Sequence, residues 1–314
     1  MPSTFQNAFV PNEIGIHPPK YRLPADAHVG RVRLAVSNLG RSLTFYSRVI
    51  GLSILNHGQS FAQLGARGSK EVLLELDEVA GVTPITRRSR LGLYHTAFLL
   101  PTRKDLSSFV RHLVAQKIDF GSGDHLYSEA LYLTDPDGLS VEVYADRPRE
   151  TWTYEGREIV SATNPVRFGE LPQVAEDSWQ GAPTGTTVGH VHMYIGDLDK
   201  AAAFYNGVLG LDIVTWRYPG ALFASAGGYH HHIGLNIWAE GSPPSSAEDA
   251  RLLFWELVLP SEREREQLLA SLREAGYTST RLANGTPCAT DPWGITVALV
   301  ITDPVAGKTE IRNG

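Results

Sequence analysis

The sequence predicts an α+β fold built from four β-α-β-β-β modules, two in each half of the chain. Three observations predict it. The chain repeats itself in order and nearly in register, each half repeats its own pattern, and each helical stretch is followed by short β-rich runs between glycine or proline turns.

The repeat is legible by overlay. VGRVRLAVSNLGRSLTFYSRVIGLSI, from Val29, falls on VGHVHMYIGDLDKAAAFYNGVLGLDI, from Val188, with ten of 26 positions identical, among them Val-Gly, Phe-Tyr and the closing Gly-Leu. LLPTRKDL, from Leu99, then meets VLPSEREREQ, from Val258, and TDPDG, from Thr134, meets TDPWG, from Thr290. Three matches in one order mark a duplication.

Within the first half, a strand-like run, Arg31–Ser37, leads into a helix that Asn38 can cap. Its apolar positions are Leu39, Leu43, Tyr46, Val49 and Ile50, and it stops at Gly51. The pattern returns as strand His95–Leu100 and a helix carrying Leu106, Phe109, Val110 and Leu113. The matching helix of the second half opens Ser261-Glu-Arg-Glu264, a capping box. Residues 1–27, rich in proline, read as an extended arm; 28–145 form a first domain and 188–314 a second. The polar, Pro- and Gly-rich stretch 146–187 reads as a linker.

Composition narrows the function. A 314-residue chain with 42% hydrophobic and 20% charged residues is an ordinary globular one. A net charge of −6 with no Lys/Arg block excludes a nucleic-acid footprint. Cys288, the single cysteine, allows neither an internal disulfide nor a cysteine-rich zinc site and fits a reducing cytoplasm. No signal peptide is visible, and the longest apolar run, Ile295–Ile301, is too short to cross a bilayer, so no membrane association is expected. The eleven histidines are the unusual feature.

Strand alternation sorts them. On VGHVHMYIG, His190, His192 and Tyr194 share a face opposite Val191, Met193 and Ile195. On YHTAFLLP, His95 shares a face with Ala97 and Leu99, and on GLSVEVYAD, Glu142 shares one with Ser140 and Tyr144. A mid-strand carboxylate among valines is costly unless solvated, paired or bound to a metal. In the overlaid copies, Arg31 stands for His190, Phe254 for His95 and Ala298 for Glu142. Each copy thus holds part of a ligand set, and the complementary trio cannot bind a metal. Two histidines and one carboxylate make the facial triad of non-haem Fe(II), which leaves three positions open. The predicted metal ligands are therefore His95, Glu142 and His190.

These features resemble the vicinal oxygen chelate superfamily over residues 28–301. The resemblance implies the glyoxalase/bleomycin resistance/extradiol dioxygenase fold, with modules paired into two open-sheet cups. A narrower motif is more specific. Gly123-Asp124-His125, five residues, then Leu131-Tyr132-Leu-Thr-Asp135-Pro136-Asp-Gly138-Leu-Ser-Val-Glu142 fits the pattern of type I extradiol ring-cleavage dioxygenases. The chain is similar to two-half catechol-2,3-dioxygenase-like proteins. That likeness implies Glu142 as an iron ligand, with His125 and Tyr132 beside the substrate. One departure is that such enzymes usually keep all three ligands in the C-terminal half, whereas here two lie in the N-terminal half.

The run Gly228-Tyr-His-His-His-Ile-Gly-Leu-Asn-Ile-Trp238 holds the candidates for acid–base work. Alternation groups His230, His232, Asn236 and Trp238 on one face and His231, Ile233, Leu235 and Ile237 on the other. An apolar core behind the strand would point His230 and His232 into the cup, while the family pattern picks His231. His192, Tyr194, Asn236 and Trp238 are the candidate substrate contacts. The resemblance implies Fe(II), with Mn(II) as a substitute, a small aromatic diol and O2 as reactants, and leaves a homo-oligomer open. Two rival functions remain. A glyoxalase-type isomerase would want a second carboxylate on the Tyr229–Trp238 strand, which has none, and a non-catalytic aromatic or antibiotic binder has no need of a full ligand set.

Overall fold

A computed structural model describes residues 13–302, so the first twelve residues of the arm and the last twelve of the second domain lie outside the described residues. The first module comprises β1 (His28–Val36), α1 (Leu39–Thr44), β2 (Ser53–His57), β3 (Phe61–Gly65) and β4 (Leu74–Glu78). The second comprises β5 (Gly92–Leu99), α2 (Arg103–Ala115), β6 (Gly121–Asp124), β7 (Ser128–Thr134) and β8 (Ser140–Asp146). A short hairpin, β9 (Tyr154–Glu155) and β10 (Glu158–Ile159), interrupts the linker. The third module is β11 (Thr187–Tyr194), α3 (Leu198–Ala201), β12 (Asp212–Thr215), β13 (Ala221–Ser225) and β14 (Ile233–Asn236). The fourth is β15 (Arg251–Leu259), α4 (Glu262–Glu274), β16 (Thr280–Arg281), β17 (Pro287–Thr290) and β18 (Thr296–Ile301).

Local chemistry accounts for the helices. Asn38, Thr102, Asp197 and Ser261 each accept the backbone N–H three residues on, one N-cap per module. α1 and α3 each run on into one π-helical turn, and Gly51, at φ +84°, turns the chain out of the first of these. The helices lay Leu106, Phe109, Leu113, Leu268 and Leu272 on the backs of the sheets in one continuous apolar core.

The sheets follow a less local rule. One eight-stranded sheet runs β16-β17-β18-β15-β1-β4-β3-β2, and the other β12-β13-β14-β11-β5-β8-β7-β6. Each cup therefore takes one module from each half of the chain. The first module joins the fourth along antiparallel β1 and β15, and the second joins the third along antiparallel β5 and β11. The division at 28–145 and 188–314 describes the repeat along the chain; the sheets are built across it.

The described part of the arm straps module three. Ile16 bridges Ile213, and Arg22 forms a two-pronged ion pair with buried Asp212. The linker is fastened too. Buried Glu158 accepts the backbone N–H groups of Trp216 and Arg217, and Asn164 pairs with Asp124.

Candidate metal centre and active-site cavity

The second sheet encloses a cavity of about 560 Å³. Strand register puts the three predicted ligands on its floor. His190 on β11 pairs with Ala97 on β5, Ala97 with Glu142 on β8, and Glu142 with Tyr132 on β7. In the next row His192 pairs with His95, and His95 with Ser140. Side chains in one row project from the same face. Ala97 offers only a methyl group between His190 and Glu142, so both lean over it toward His95.

The resulting geometry is compact. His95 Nε2 lies 3.2 Å from His190 Nε2, and Glu142 Oε2 lies 3.0 Å from His95 Nε2 and 3.4 Å from His190 Nε2. All three residues are buried. Donors at about 2.1 Å from a common centre and at right angles stand about 3.0 Å apart, so this spacing fits one face of an octahedron. Burial pushes His190 down to about 4 against the pull of Glu142, which leaves a neutral imidazole with a free lone pair. Burial works to raise the Glu142 carboxyl, but the two imidazoles beside it hold it well below the usual carboxylate range. Two imidazole nitrogens and one carboxylate suit a divalent cation. Both Nδ1 atoms, of His95 and His190, are buried without a hydrogen-bond partner in the protein. This trio is the group of three or more His, Cys, Asp or Glu side chains with metal-binding spacing among the described residues.

The equivalent place in the other sheet is filled by the protein itself. Arg31 lies 3.0 Å from Glu75 and 2.6 Å from Glu256, and its guanidinium stands over the Phe254 ring. The resident cation there is a side chain.

Above the triad, His125 and Tyr132 form a pair. His125 Nδ1 donates to the carbonyl of Ala162 at 2.7 Å, so its Nε2 accepts from the Tyr132 hydroxyl at 2.6 Å. Burial, and then the charge of Glu142, raise Tyr132 well above the usual phenol and keep it a donor. The acceptor on Ala162, and Ser161 and Thr163 on the cavity wall, come from the stretch read as a linker. No local pattern marks them.

The histidine run corrects the alternation reading. β14 begins at Ile233, so His230–His232 belong to the turn before it, where a period of two does not hold. His231 lines the cavity, with its ring centroid 4.1 Å from that of His190. Burial holds His231 well below the ordinary histidine range. His230 is wholly buried behind it, and His232 accepts from the backbone N–H of Ala226, away from the cavity. Of the candidate substrate contacts, His192 and Trp238 line the cavity. Asn236 is buried beneath, donating to His192 Nε2 at 2.9 Å and accepting from the backbone of Trp238. Tyr194 is off the wall, its ring tilted against that of Tyr94 at 4.7 Å. Gly234 gives the His192 ring its seat, since a Cβ there would stand 2.6 Å from His192 Cγ. Aromatic walls the sequence did not single out, Tyr94, Tyr127, Tyr218 and Phe223, complete the cavity, and exposed Arg87 and Arg88 line its rim.

Known proteins resemble this chain to different depths. The chain is 44% identical over 264 residues to the catechol-2,3-dioxygenase of Bacillus subtilis (strain 168), covering 82% of this chain and 92% of that protein. Two solved structures share the fold. A Bacillus subtilis protein provisionally named a dioxygenase superposes with a TM-score of 0.62 at 14% identity, over 90% of this chain and 87% of that one. Glyoxalase I from Zea mays superposes with a TM-score of 0.55 at 17% identity, over 88% of this chain and 92% of that one. Residues 28–143 and 187–299 each match one family profile, and the chain belongs to the Glyoxalase/Bleomycin resistance protein/Dioxygenase superfamily.

Proposed function

We propose that the protein is an extradiol dioxygenase that opens a catechol-type ring with O2, using a mononuclear metal held by His95, Glu142 and His190. The observation that carries this reading is the convergence of two imidazoles and one carboxylate at 3.0–3.4 Å on the floor of an aromatic-walled cavity. The likeness to a catechol-2,3-dioxygenase supports it. Fe(II) is the metal the donor set suits, and Mn(II) takes the same ligands. When bound, such a metal supplies chelation of two vicinal oxygens and the redox chemistry that O2 requires.

The chain's own groups do the rest. His231 takes a proton from the diol and later returns it. The Tyr132 hydroxyl, held in the cavity by its bond to His125 Nε2, turns to donate to charge developing on the substrate oxygens. Tyr94, Phe223 and Trp238 hold the ring and exclude water. A reducing cytoplasm is the setting we assign, since Cys288 is free and buried and ferrous iron needs it. No described helix is long and apolar enough to cross a membrane.

The isomerase reading lacks its second base, because Glu142 is the one carboxylate on the cavity wall among the described residues. The test is anaerobic reconstitution with Fe(II), followed by a panel of catechols in air. Oxygen uptake with a yellow ring-opened product supports the dioxygenase. An iron-loaded protein that binds catechols without consuming O2 favours a binder, and turnover of a hemithioacetal by the Zn or Ni form favours the isomerase.

A further inference from the structure

A buried chain of hydrogen bonds leads away from the cavity behind His231. His231 Nδ1 lies 2.8 Å from His230 Nδ1, and His230 Nε2 lies 2.9 Å from Asp146 Oδ1. The contact is not a strand neighbour's, because β11 and β5 stand between β14 and β8 in the sheet. His230 is wholly buried in an aromatic cage, with the Tyr127 ring stacked on it at 4.3 Å and 11° and Tyr229 at 4.0 Å. Trp152, from the linker, closes the cage at 5.5 Å. The Asp146 side chain keeps 27% of its surface in water.

The chain has a direction. An ionised carboxylate only accepts, so Asp146 takes its hydrogen bond from Nε2–H of His230. A neutral imidazole protonated at Nε2 has its lone pair at Nδ1. His230 Nδ1 must then accept from Nδ1–H of His231, and this leaves the lone pair of His231 at Nε2, the ring nitrogen not used by His230.

On the dioxygenase reading, we infer that Asp146 and His230 are positioning residues that lock His231 in the Nδ1–H tautomer and so present its Nε2 to the diol as the base. When the diol O–H bond breaks, its electron pair stays on oxygen and its proton goes to Nε2. The positive charge then formed on His231 is held through Nδ1–H by His230 and, beyond it, by Asp146. Neither positioning residue changes its own proton count, and His231 returns its proton later in the cycle. A triad's carboxylate orients a histidine in the same way in serine proteases, where Asp→Asn imposes the wrong tautomer and costs about 10⁴ in kcat.

Asp146→Asn tests this, because its amide can donate to His230 Nε2 and reverse every bond in the chain. Long-range ¹⁵N–¹H spectra of the metal-free protein should show His231 protonated at Nδ1 in the wild type and shifted toward Nε2–H in Asp146→Asn. With Fe(II), Asp146→Asn and His230→Gln should each lower kcat by roughly 10²–10³ with metal content and KM near wild type. Asp146→Glu should recover part of the loss. Loss of metal, KM and folding together would assign these residues a merely structural part and overturn the inference. A wild-type His231 protonated at Nε2, or an unchanged kcat in Asp146→Asn, would overturn it as well. Inactivity of the wild type toward every catechol would count against the dioxygenase reading instead, and the tautomer spectra would still decide this one.

Discussion

Tyr46 donates its hydroxyl to the buried carboxylate of Asp135 at 3.1 Å, and the duplicated chain repeats the bond between Tyr205 and Asp291 at 3.0 Å. Asp135 also accepts the backbone N–H groups of Asp137 and Leu139, so it closes the turn before β8. Gly138, at φ +86°, makes that turn, and a Cβ there would stand 1.9 Å from the carbonyl oxygen of Ile85. The tyrosine lies on the helix of one module and the aspartate on the turn of the next. Each pair therefore ties the two sheets together within one half of the chain.

Removing the tie should cost stability and leave the site intact. Tyr46→Phe and Tyr205→Phe should each lose about 1–3 kcal/mol, the range for stranding a buried partner. Chemical denaturation of both singles and the double variant checks it, with near-additive losses expected.

The same aspartates give a pH signature. Burial is the largest cause raising Asp135 and Asp291 to about 6, against hydrogen bonds that lower them. A carboxyl raised on folding stabilises fully below its unfolded value near 4, and that contribution is lost as pH rises through about 6. Each group should account for a fall of about 2–3 kcal/mol across this window. Asp135→Asn should flatten that part of the stability curve, and the difference between its curve and the wild type's is the measurement.

Metal should stabilise the fold through the triad. At a hundredfold excess over Kd the gain is about 2.7 kcal/mol, read as a rise in Tm over the chelator-treated protein. Glu142→Ala and His95→Ala should abolish both the rise and the activity, because one ligand has gone. Ala97→Leu should do so without touching a ligand, since its side chain would fill the gap over which His190 and Glu142 meet His95. Overpacking there should cost a further 1–3 kcal/mol or so.

Chemistry and binding should separate above the triad. Tyr132→Phe and His125→Ala should keep the metal and react about 10²–10³ more slowly, as the Tyr132 donor, or the imidazole that positions it, is lost. His231→Ala should keep the metal and lose roughly 10²–10⁴ in turnover, whereas His232→Ala should stay near wild type. Steady-state rates with metal content measured on the same samples distinguish them.

Local periodicity carried far in this chain. The overlay of Val29 on Val188 exposed the duplication, caps at Asn38 and Ser261 marked two of the helices, and the complementarity of His95, Glu142 and His190 with Phe254, Ala298 and Arg31 picked out the buried trio. Such features depend on residues a few positions apart, or on the comparison of two copies. Tertiary structure decided which modules share a sheet, because the β5–β11 pairing joins segments about a hundred residues apart that repeat alone cannot match. It also decided that His231 and not His230 or His232 lines the cavity, since alternation ends where the turn before Ile233 begins. The backing of Ala162 and Asp146 came from the same source: Ala162 stands 37 residues from His125 and Asp146 stands 84 from His230, so only the folded chain brings each to its histidine.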